Sequence, residues 1–572
     1  MTYTFVQKDG DKYYLIEATS HWDPVKKRSV QKRKHLGVCD AEGNLLKPKK
    51  SNDIECSPSF GSCYLMVKMA EKDPMTKSLY EIYGEEKGKR LMTLAILSVI
   101  EPCSVNMMAC AVEDTYLRQL LGVDWSMEQS EVCRFLQTIG RDAGRRERLF
   151  AANSPKSGCV IFDIVCLGTD SEELEFAERG RKFRYTGSKQ INLGMVHSMK
   201  AGLPFCYRTY PGSVADVSTI KGLISDLRSM GCRSVESVMD RGFYSLDNIK
   251  FMLTESSGFT IPMPTKVDAE KKLISESVGK IDSPLNTDVI NGSTVRGYET
   301  AVRIEGNDMV CCGEDRRDGD IRAVVLQDNA QRSKELDRLY SNLSKLEKRL
   351  AGMEFKDGAF VHSLNIREKN TLKLLEYSEG GDGKIVTARK RNAISARENS
   401  CGSFVLLTTS DLPWKSLMEN YRSRNDIEYD FSILQSDLFE GTKGKSDQNS
   451  AEGGLLVCFL AIRLRLILLH AMQEAKLTDT LWTPELLKEL GKLKASRVGG
   501  KWRLNVVTKR MRTIYEELGV KVPTDWDLAI SEQRRNPSYR FKSISEDQPR
   551  YQNGIGIRRS QFKSLFKEQL VG

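Results

Sequence analysis

The sequence predicts an α/β protein: a mixed β-sheet with helices on both faces, with helical and small β modules on its N-terminal side. Three observations carry this. Residues 75–150 set apolar side chains at helical spacing. From Gly158 onward, short β-rich apolar runs alternate with helical stretches. After a more polar interruption over residues 265–400, an apolar run returns at Ser403–Thr408 and a helix follows it.

Residues 1–50 alternate apolar and polar side chains around Gly10-Asp11, with Tyr3 and Phe5 before the turn and Tyr13 and Leu15 after it. This predicts a small hairpin. A basic run over residues 25–35 and a turn at Gly43-Asn44 come next, and residues 51–70 read as a linker. Leu91, Leu94, Ile96, Leu97 and Ile100 predict a helix stopped by Pro102. Ser126 or Ser130 is expected to cap a helix through Val132, Phe135, Leu136 and Ile139 that Gly140 ends. This region serves either as a helical DNA-binding module or as a packing domain.

The run 159–166 is a strand with one acid, Asp163, at its centre, where a charge is costly unless it is paired or holds a metal. Residues 192–198 and 203–210 form a hairpin. Asp216 is expected to cap a helix carrying Val217, Ile220, Leu223, Ile224 and Leu227, with Gly231 at its end. A strand over 235–239 stops at Asp240. Ser245 caps a helix with Leu246, Ile249, Met252 and Leu253, and residues 259–263 form a further strand closed by Pro264. This order sets the strand of Asp163 beside the strand of Asp240.

Within 265–400, residues 298–304 and 309–312 are strand-like. Leu336, Leu339, Leu343, Leu346 and Leu350 mark a helix too short for a coiled coil, expected to pack in its own domain or in a hairpin. Asp411 and Pro413 open a helix leading into residues 421–435. Read as one helix, that stretch carries an apolar stripe (Ile427, Phe431, Leu434) beside a polar one (Tyr421, Arg424, Glu428, Gln435). Taken alone, it also reads as a surface helix with an i,i+4 Arg/Glu pair.

Composition narrows the partners. Charged residues make 29% and hydrophobic residues 40% of the 572, as in globular proteins, and the net charge is +10. The basic residues cluster at 26–34, 501–512 and 534–559, which favours a polyanion. The 14 cysteines contain no CxxC, and with five scattered histidines give no zinc-ligand spacing. Reduced cysteines and no basic-then-apolar leader after Met1 point to a cytoplasmic protein. The apolar run 455–469, broken by Arg463 and Arg465, is read as a buried helix too short to span a membrane.

Asp163, Asp240 and Glu428 are the candidate chemical groups. Three carboxylates at one sheet edge repel one another unless divalent cations bind between them, and two such ions can drive displacement at phosphorus. Asp170, Glu172 and Glu173 read instead as a solvated loop, His197 as a packed strand residue and Trp414 as a core anchor.

The motifs around these acids resemble those of DDE transposases of prokaryotic insertion sequences, which have an RNase H-like catalytic fold. The chain resembles the cut-and-paste group in which an insertion domain precedes the last catalytic helix. That group's signature is Tyr, two residues, Arg, three residues, Glu, six residues, Lys. Tyr421, Arg424 and Glu428 stand at these intervals, and Gln435 stands where the group has Lys. Asp240-Arg241-Gly242-Phe243-Tyr244-Ser245 with Asn248, together with Gly202-Leu203-Pro204 and Pro211-Gly212-Ser213 with Asp216, extend the match.

The resemblance implies that Asp163, Asp240 and Glu428 bind two Mg²⁺ or Mn²⁺ ions. It implies cleavage at terminal inverted repeats, strand transfer into target DNA, and a homodimer on double-stranded DNA. It places Tyr421, Arg424, Gln435 and Arg241 against DNA, Gln435 without the charge of Lys. The expected organisation is an N-terminal hairpin and basic segment (1–60), a helical region (61–150), a core in two parts (151–264 and 401–475) around an insertion (265–400), and a basic region (476–572) for DNA binding or dimerisation. A nucleoid-associated, membrane-free location follows. A catalytically inactive DNA-binding derivative, or a nuclease without strand transfer, are the alternatives.

Overall fold

The structure is a computed structural model and describes residues 2–10, 12–23, 27–45, 54–180, 188–232, 234–313, 317–424 and 447–528. Strands β1 (Thr2–Asp9), β2 (Lys12–Asp23) and β3 (Arg28–Cys39) form an antiparallel sheet in that order. The hairpin read around Gly10 is β1–β2; Gly10 takes a positive φ of 60° that its missing Cβ allows. Residues 28–35 of the basic run lie in β3.

The stretch read as a linker is not one. β4 (Ile54–Cys56) pairs with β17 (Ala495–Val498), which pairs with β18 (Lys501–Leu504). α1 (Gly61–Lys72) is buried along most of its length. The small residues here serve a packing purpose: a Cβ on Gly61 would lie 2.2 Å from the Leu490 carbonyl oxygen.

α2 (Pro74–Tyr83), α3 (Glu85–Ile100), α4 (Met108–Glu113), α5 (Leu117–Leu121), α6 (Gln129–Gly140) and α7 (Ala143–Ala152) complete the N-terminal helices. α6 departs from expectation at its start and ends at Gly140 as expected. Glu128, not Ser126 or Ser130, precedes its first residue; the Ser126 hydroxyl accepts the Glu128 N–H (3.3 Å) and donates to the Glu131 carboxylate (2.7 Å). Gly140 is the last helical residue, with Arg141 beyond it. It is there for a helix crossing, since its Cβ would fall 1.8 Å from the Asn449 carbonyl oxygen.

The central sheet runs β10-β11-β13-β16-β9-β8-β5-β6-β7, with β12 against β11. β5 (Ser157–Thr169), β6 (Lys189–Ser198) and β7 (Leu203–Pro211) are antiparallel neighbours. β8 (Ser234–Met239) lies parallel to β5, and β9 (Gly258–Pro262) parallel to β8. Three antiparallel strands followed by two parallel ones, with the first at the centre, is the RNase H-like order. α8 (Ile220–Ser229) and α9 (Leu246–Thr254) make the crossovers. Asp216 does not cap α8. It opens a 3₁₀ turn, Asp216–Ser218, and the helix starts after Thr219. Ser245 does cap α9, accepting the Asn248 N–H at 3.0 Å.

α10 (Asp268–Ser277) leads into β10 (Thr287–Ile290), β11 (Ser293–Glu305), β12 (Asp308–Cys311) and β13 (Ile321–Asp328). These strands widen the same sheet through β16 (Ser403–Thr408), which pairs antiparallel with β9. α11 (Asn329–Ala351), α12 (Ile366–Leu372), β14 (Leu375–Glu379), β15 (Ile385–Arg389) and α13 (Arg391–Ser400) have a core of their own, built on Leu343, Leu346 and Leu350.

The sheet is covered on both faces. Val324, Leu326 and Leu406 meet α14 (Trp414–Arg422) and its buried Trp414, while Ala323, Val325, Val405 and Leu407 join the main core. α15 (Gln448–Glu474) runs through that core, followed by α16 (Thr483–Gly491) and α17 (Lys509–Glu517). At 27 residues α15 outruns the apolar run 455–469, because Gln448–Gly454 continues the helix, and by length and composition it could cross a membrane. It is nonetheless 78% buried in its apolar window. Arg463 is accommodated there by a two-pronged pair with Asp73 (2.7 Å each) and a 2.6 Å bond to the Pro204 carbonyl.

Candidate active site

Asp163 and Asp240 meet where two parallel strands part. Phe162 is opposite Met239, the last residue of β8, while β5 continues to Thr169 against β6 alone. Asp163 therefore projects at the level where its neighbour ends, and Asp240 begins the turn that ends it. Grooves outside the carboxyl ends of parallel strands are the common ligand sites of such sheets.

Behind the acids, Phe162 and Phe243 are fully buried with ring centroids 5.0 Å apart. Burial of two such rings contributes about 1.5–3 kcal/mol each, which fixes β5 and the turn after Asp240 to a common core. Asn248, on the first turn of α9, donates to the Val217 (2.7 Å) and Phe243 (2.9 Å) carbonyls. It ties the Asp216 turn to the Asp240 turn. The Asp216 carboxylate lies 3.2 Å from where a Cβ on Gly242 would be, so Gly242 lets the two turns close on each other. Asp216 as a supporting residue was missed from sequence, where it read as a helix cap. The signal was present in the glycine after Arg241, which needs a close neighbour to explain it.

One cation serves both acids. Arg424 Nη1 lies 3.7 Å from Asp163 Oδ2 and 3.4 Å from Asp240 Oδ1. The Arg424 side chain is 10% exposed, Asp163 15% and Asp240 40%. The pair is thus set in a cleft open on the Asp240 side. Asp163 Oδ1 accepts the Ile164 N–H at 2.8 Å, which orients the other oxygen toward the cleft. The Arg424 guanidinium also stands 5.5 Å from the Tyr421 ring centre, and Tyr421 packs on Phe404 at 5.6 Å.

Of the stretch 421–435, residues 421–424 are described. α14 ends at Arg422, Ser423 is a turn, and Arg424 is helical again. The Arg422 guanidinium bonds the Ile290 carbonyl and Asp328 and so holds the end of α14 on β10 and β13. Arg424 reaches both acids, and the Tyr421 ring stands beside its guanidinium. Glu428 and Gln435 lie outside the described residues.

Arg241 is exposed. Its charge acts on Glu270, a 1% exposed carboxyl on α10 that burial pushes up to about 7 and that Arg241, the Val405 N–H and Lys271 pull back down. Glu270 carried no signal in the sequence, being one acid in a polar helix. His197 is buried in β6, and burial followed by the Arg463 charge drops its imidazole to about 3, which makes it a neutral packing group. Asp170, Glu172 and Glu173 are exposed, as a solvated loop requires.

The donor set suits a hard divalent cation: carboxylate oxygens, one partly open to solvent. Among the described residues no group of three metal-ligating side chains is assembled.

A family model described as the transposase DDE domain matches residues 155–464. The chain belongs to the DDE-domain transposase family. No curated protein matches the chain significantly. Among solved structures, the cryo-EM structure of a piggyBac transposase synaptic complex with hairpin DNA is similar over 76% of this chain and 82% of that one, at 8% identity and a TM-score of 0.34. The span matched by the family model runs from just before β5 into α15, and so takes in Asp163, Asp240, Tyr421 and Arg424 of this DDE-domain chain.

Proposed function

We propose that this chain cleaves double-stranded DNA at terminal inverted repeats and joins the freed 3′-hydroxyls to target DNA. The observation that carries the reading is the convergence of Asp163 and Asp240 at the end of two adjacent parallel strands, with Arg424 between them. Asp163, Asp240 and Glu428 would hold two Mg²⁺ or Mn²⁺ ions. Bound there, the ions supply charge stabilisation at phosphorus and lower the pKa of the attacking hydroxyl.

The protein's own residues do the rest. Asp163 is oriented by the Ile164 amide, so one oxygen is committed and the other is offered to the cleft. The Asn248 and Gly242 contacts hold the Asp240 turn against the Asp216 turn. Arg424 turns from the carboxylates to a DNA phosphate, where a planar guanidinium makes two parallel bonds. Tyr421 and Gln435 add phosphate contacts, and Arg241 reaches the backbone from its exposed position. Two copies of the chain hold the paired ends. The segment 265–400 acts as the insertion between the two parts of the core, and the membrane-free, nucleoid-associated location fits a DNA-acting enzyme.

The test is nicking of a duplex bearing the terminal repeats, with Mg²⁺. Wild-type protein cuts at the repeat ends, and Asp163→Asn loses cutting by at least about a thousandfold while still binding the duplex. Retained cutting by that variant overturns the assignment. Joining of cut ends to a target plasmid separates strand transfer from simple nuclease action.

A further inference from the structure

The β1–β3 sheet plays no part in the cleft, and its two faces differ in chemistry. Cross-strand partners share a face, and alternate residues of one strand share it too. The register pairs Tyr3 with Ala18 and Phe5 with Ile16 on one side, and Arg33 with Ala18, Gln31 with Ser20 and Ser29 with Trp22 on the other. One face therefore carries Tyr3, Phe5, Trp22, Gln31 and Arg33.

Contacts confirm the grouping. Gln31 Nε2 donates to the Tyr3 hydroxyl at 2.7 Å, Arg33 Nη2 to Gln31 Oε1 at 3.4 Å, and the Arg33 guanidinium stands 5.7 Å from the Phe5 ring centre. These side chains cover Ile16 and Ala18, which are 1% and 0% exposed. The tips stay in solvent: Tyr3 is 44% and Trp22 65% exposed, and Gln31 and Arg33 are exposed. β3 adds Arg28, Lys32 and Lys34 and contains no acid.

We propose that this face reads duplex DNA in the major groove. The proposal rests on the DNA-cleaving function above and extends it to a recognition site. Three strands at about 4.8 Å spacing make a ribbon roughly 10 Å across, which fits a major groove about 12 Å wide. Arginine and glutamine are the side chains whose forked donors and acceptors match guanine and adenine edges there. Arg33 and Gln31 lie two residues apart on one strand and hold each other in place, so little conformational freedom is lost on docking. Arg28, Lys32 and Lys34 pair with Asp23, Thr19 and Glu17 and so lie on the other face of the same edge strand, where their charge draws the sheet toward the phosphate backbone without reading sequence. The charge of β3 selects a polyanion, and the amide and guanidinium select base edges over phosphate alone.

The experiment uses full-length protein and a duplex library with a randomised central segment. Wild-type protein enriches one sequence motif. Arg33→Ala and Gln31→Ala each flatten the motif by about ten- to a hundredfold in discrimination at one or two base positions, with overall binding at low salt kept. Arg33→Lys, which keeps the charge, flattens the motif as well, because the fork is lost. Lys32→Ala with Lys34→Ala, on the other face, leaves the motif intact and weakens binding to all sequences alike. The same motif and discrimination in Arg33→Ala and Gln31→Ala overturn the proposal. Should that occur while Asp163→Asn still abolishes nicking, the cleavage function stands and only the reading face falls. Wild-type protein that enriches no motif and nicks no duplex overturns both.

Discussion

Arg424 holds two carboxylates with one guanidinium nitrogen. Its neutral variant leaves Asp163 and Asp240 facing each other with like charge in a cleft, and cations then gain what the guanidinium supplied. Arg424→Gln should therefore show a larger rise in melting temperature on adding Mg²⁺ than wild type, with poorer cutting. An equal or smaller rise contradicts the pairing. Glu270 gives a pH signature. Its folded-state pKa of about 7 lies above the ordinary 4.5, so the folded chain binds the extra proton. Its contribution to stability is complete below about pH 4.5 and is lost as pH rises toward 7. Glu270→Gln should flatten the wild-type decline across that window in denaturant titrations, and an unchanged slope refutes it. Asn248→Leu removes the donors of two carbonyls and should cost about 1–3 kcal/mol, with a fall in cutting beyond the loss of folded protein. At this scale the sequence showed the acids clearly, since Asp163 interrupts an apolar run and Asp240 ends one. It could not show Glu270 or the supporting role of Asp216, because both depend on neighbours brought from other elements.

At the scale of elements, the helix α15 is the support on which much of the core rests. It meets α6 at glycines: a Cβ on Gly453 would sit 2.2 Å from the Leu136 carbonyl oxygen, and one on Gly140 at 1.8 Å from that of Asn449. Backbone atoms cannot move aside as side chains do, so Gly453→Ala forces the helices apart and should cost at least about 1–3 kcal/mol, read by thermal or urea unfolding. The Asp73–Arg463 pair joins α2's N-cap to the same helix, both side chains being under a tenth exposed. Asp73→Ala leaves a buried guanidinium short of its partner and should cost about 3–5 kcal/mol, more than the double change Asp73→Leu with Arg463→Met. Periodicity found most elements, including the hairpin at Gly10, the strands of the core, and the cap at Ser245. It failed where spacing carries no contact information. The close approaches at Gly140 and Gly61 left no trace in the spacing, and neither did the tie of Arg422 to β10 and β13.

Across the whole molecule, one sheet carries the site and much of what surrounds it. Asp163 and Asp240 come from strands that touch, yet Arg424 reaches them only after the chain has added six strands (β9 to β13 and β16) to the same sheet and built a separate core on α11. The order of strands and helices predicted the central part of this arrangement, because alternation of apolar runs is local. It did not predict that strands of the 265–400 segment would extend the sheet, since polar, half-buried strands look alike whether they pair with the core or with one another. The central claim is that Asp163, Asp240 and Glu428 jointly hold the catalytic ions. Fe²⁺ substituted for Mg²⁺, with ascorbate and peroxide, cuts the polypeptide next to wherever the ion binds. The account predicts cuts flanking residues 163, 240 and 428, all suppressed by excess Mg²⁺ and by Asp163→Asn. Cuts elsewhere, or cuts at 163 and 240 with none at 428, would contradict it.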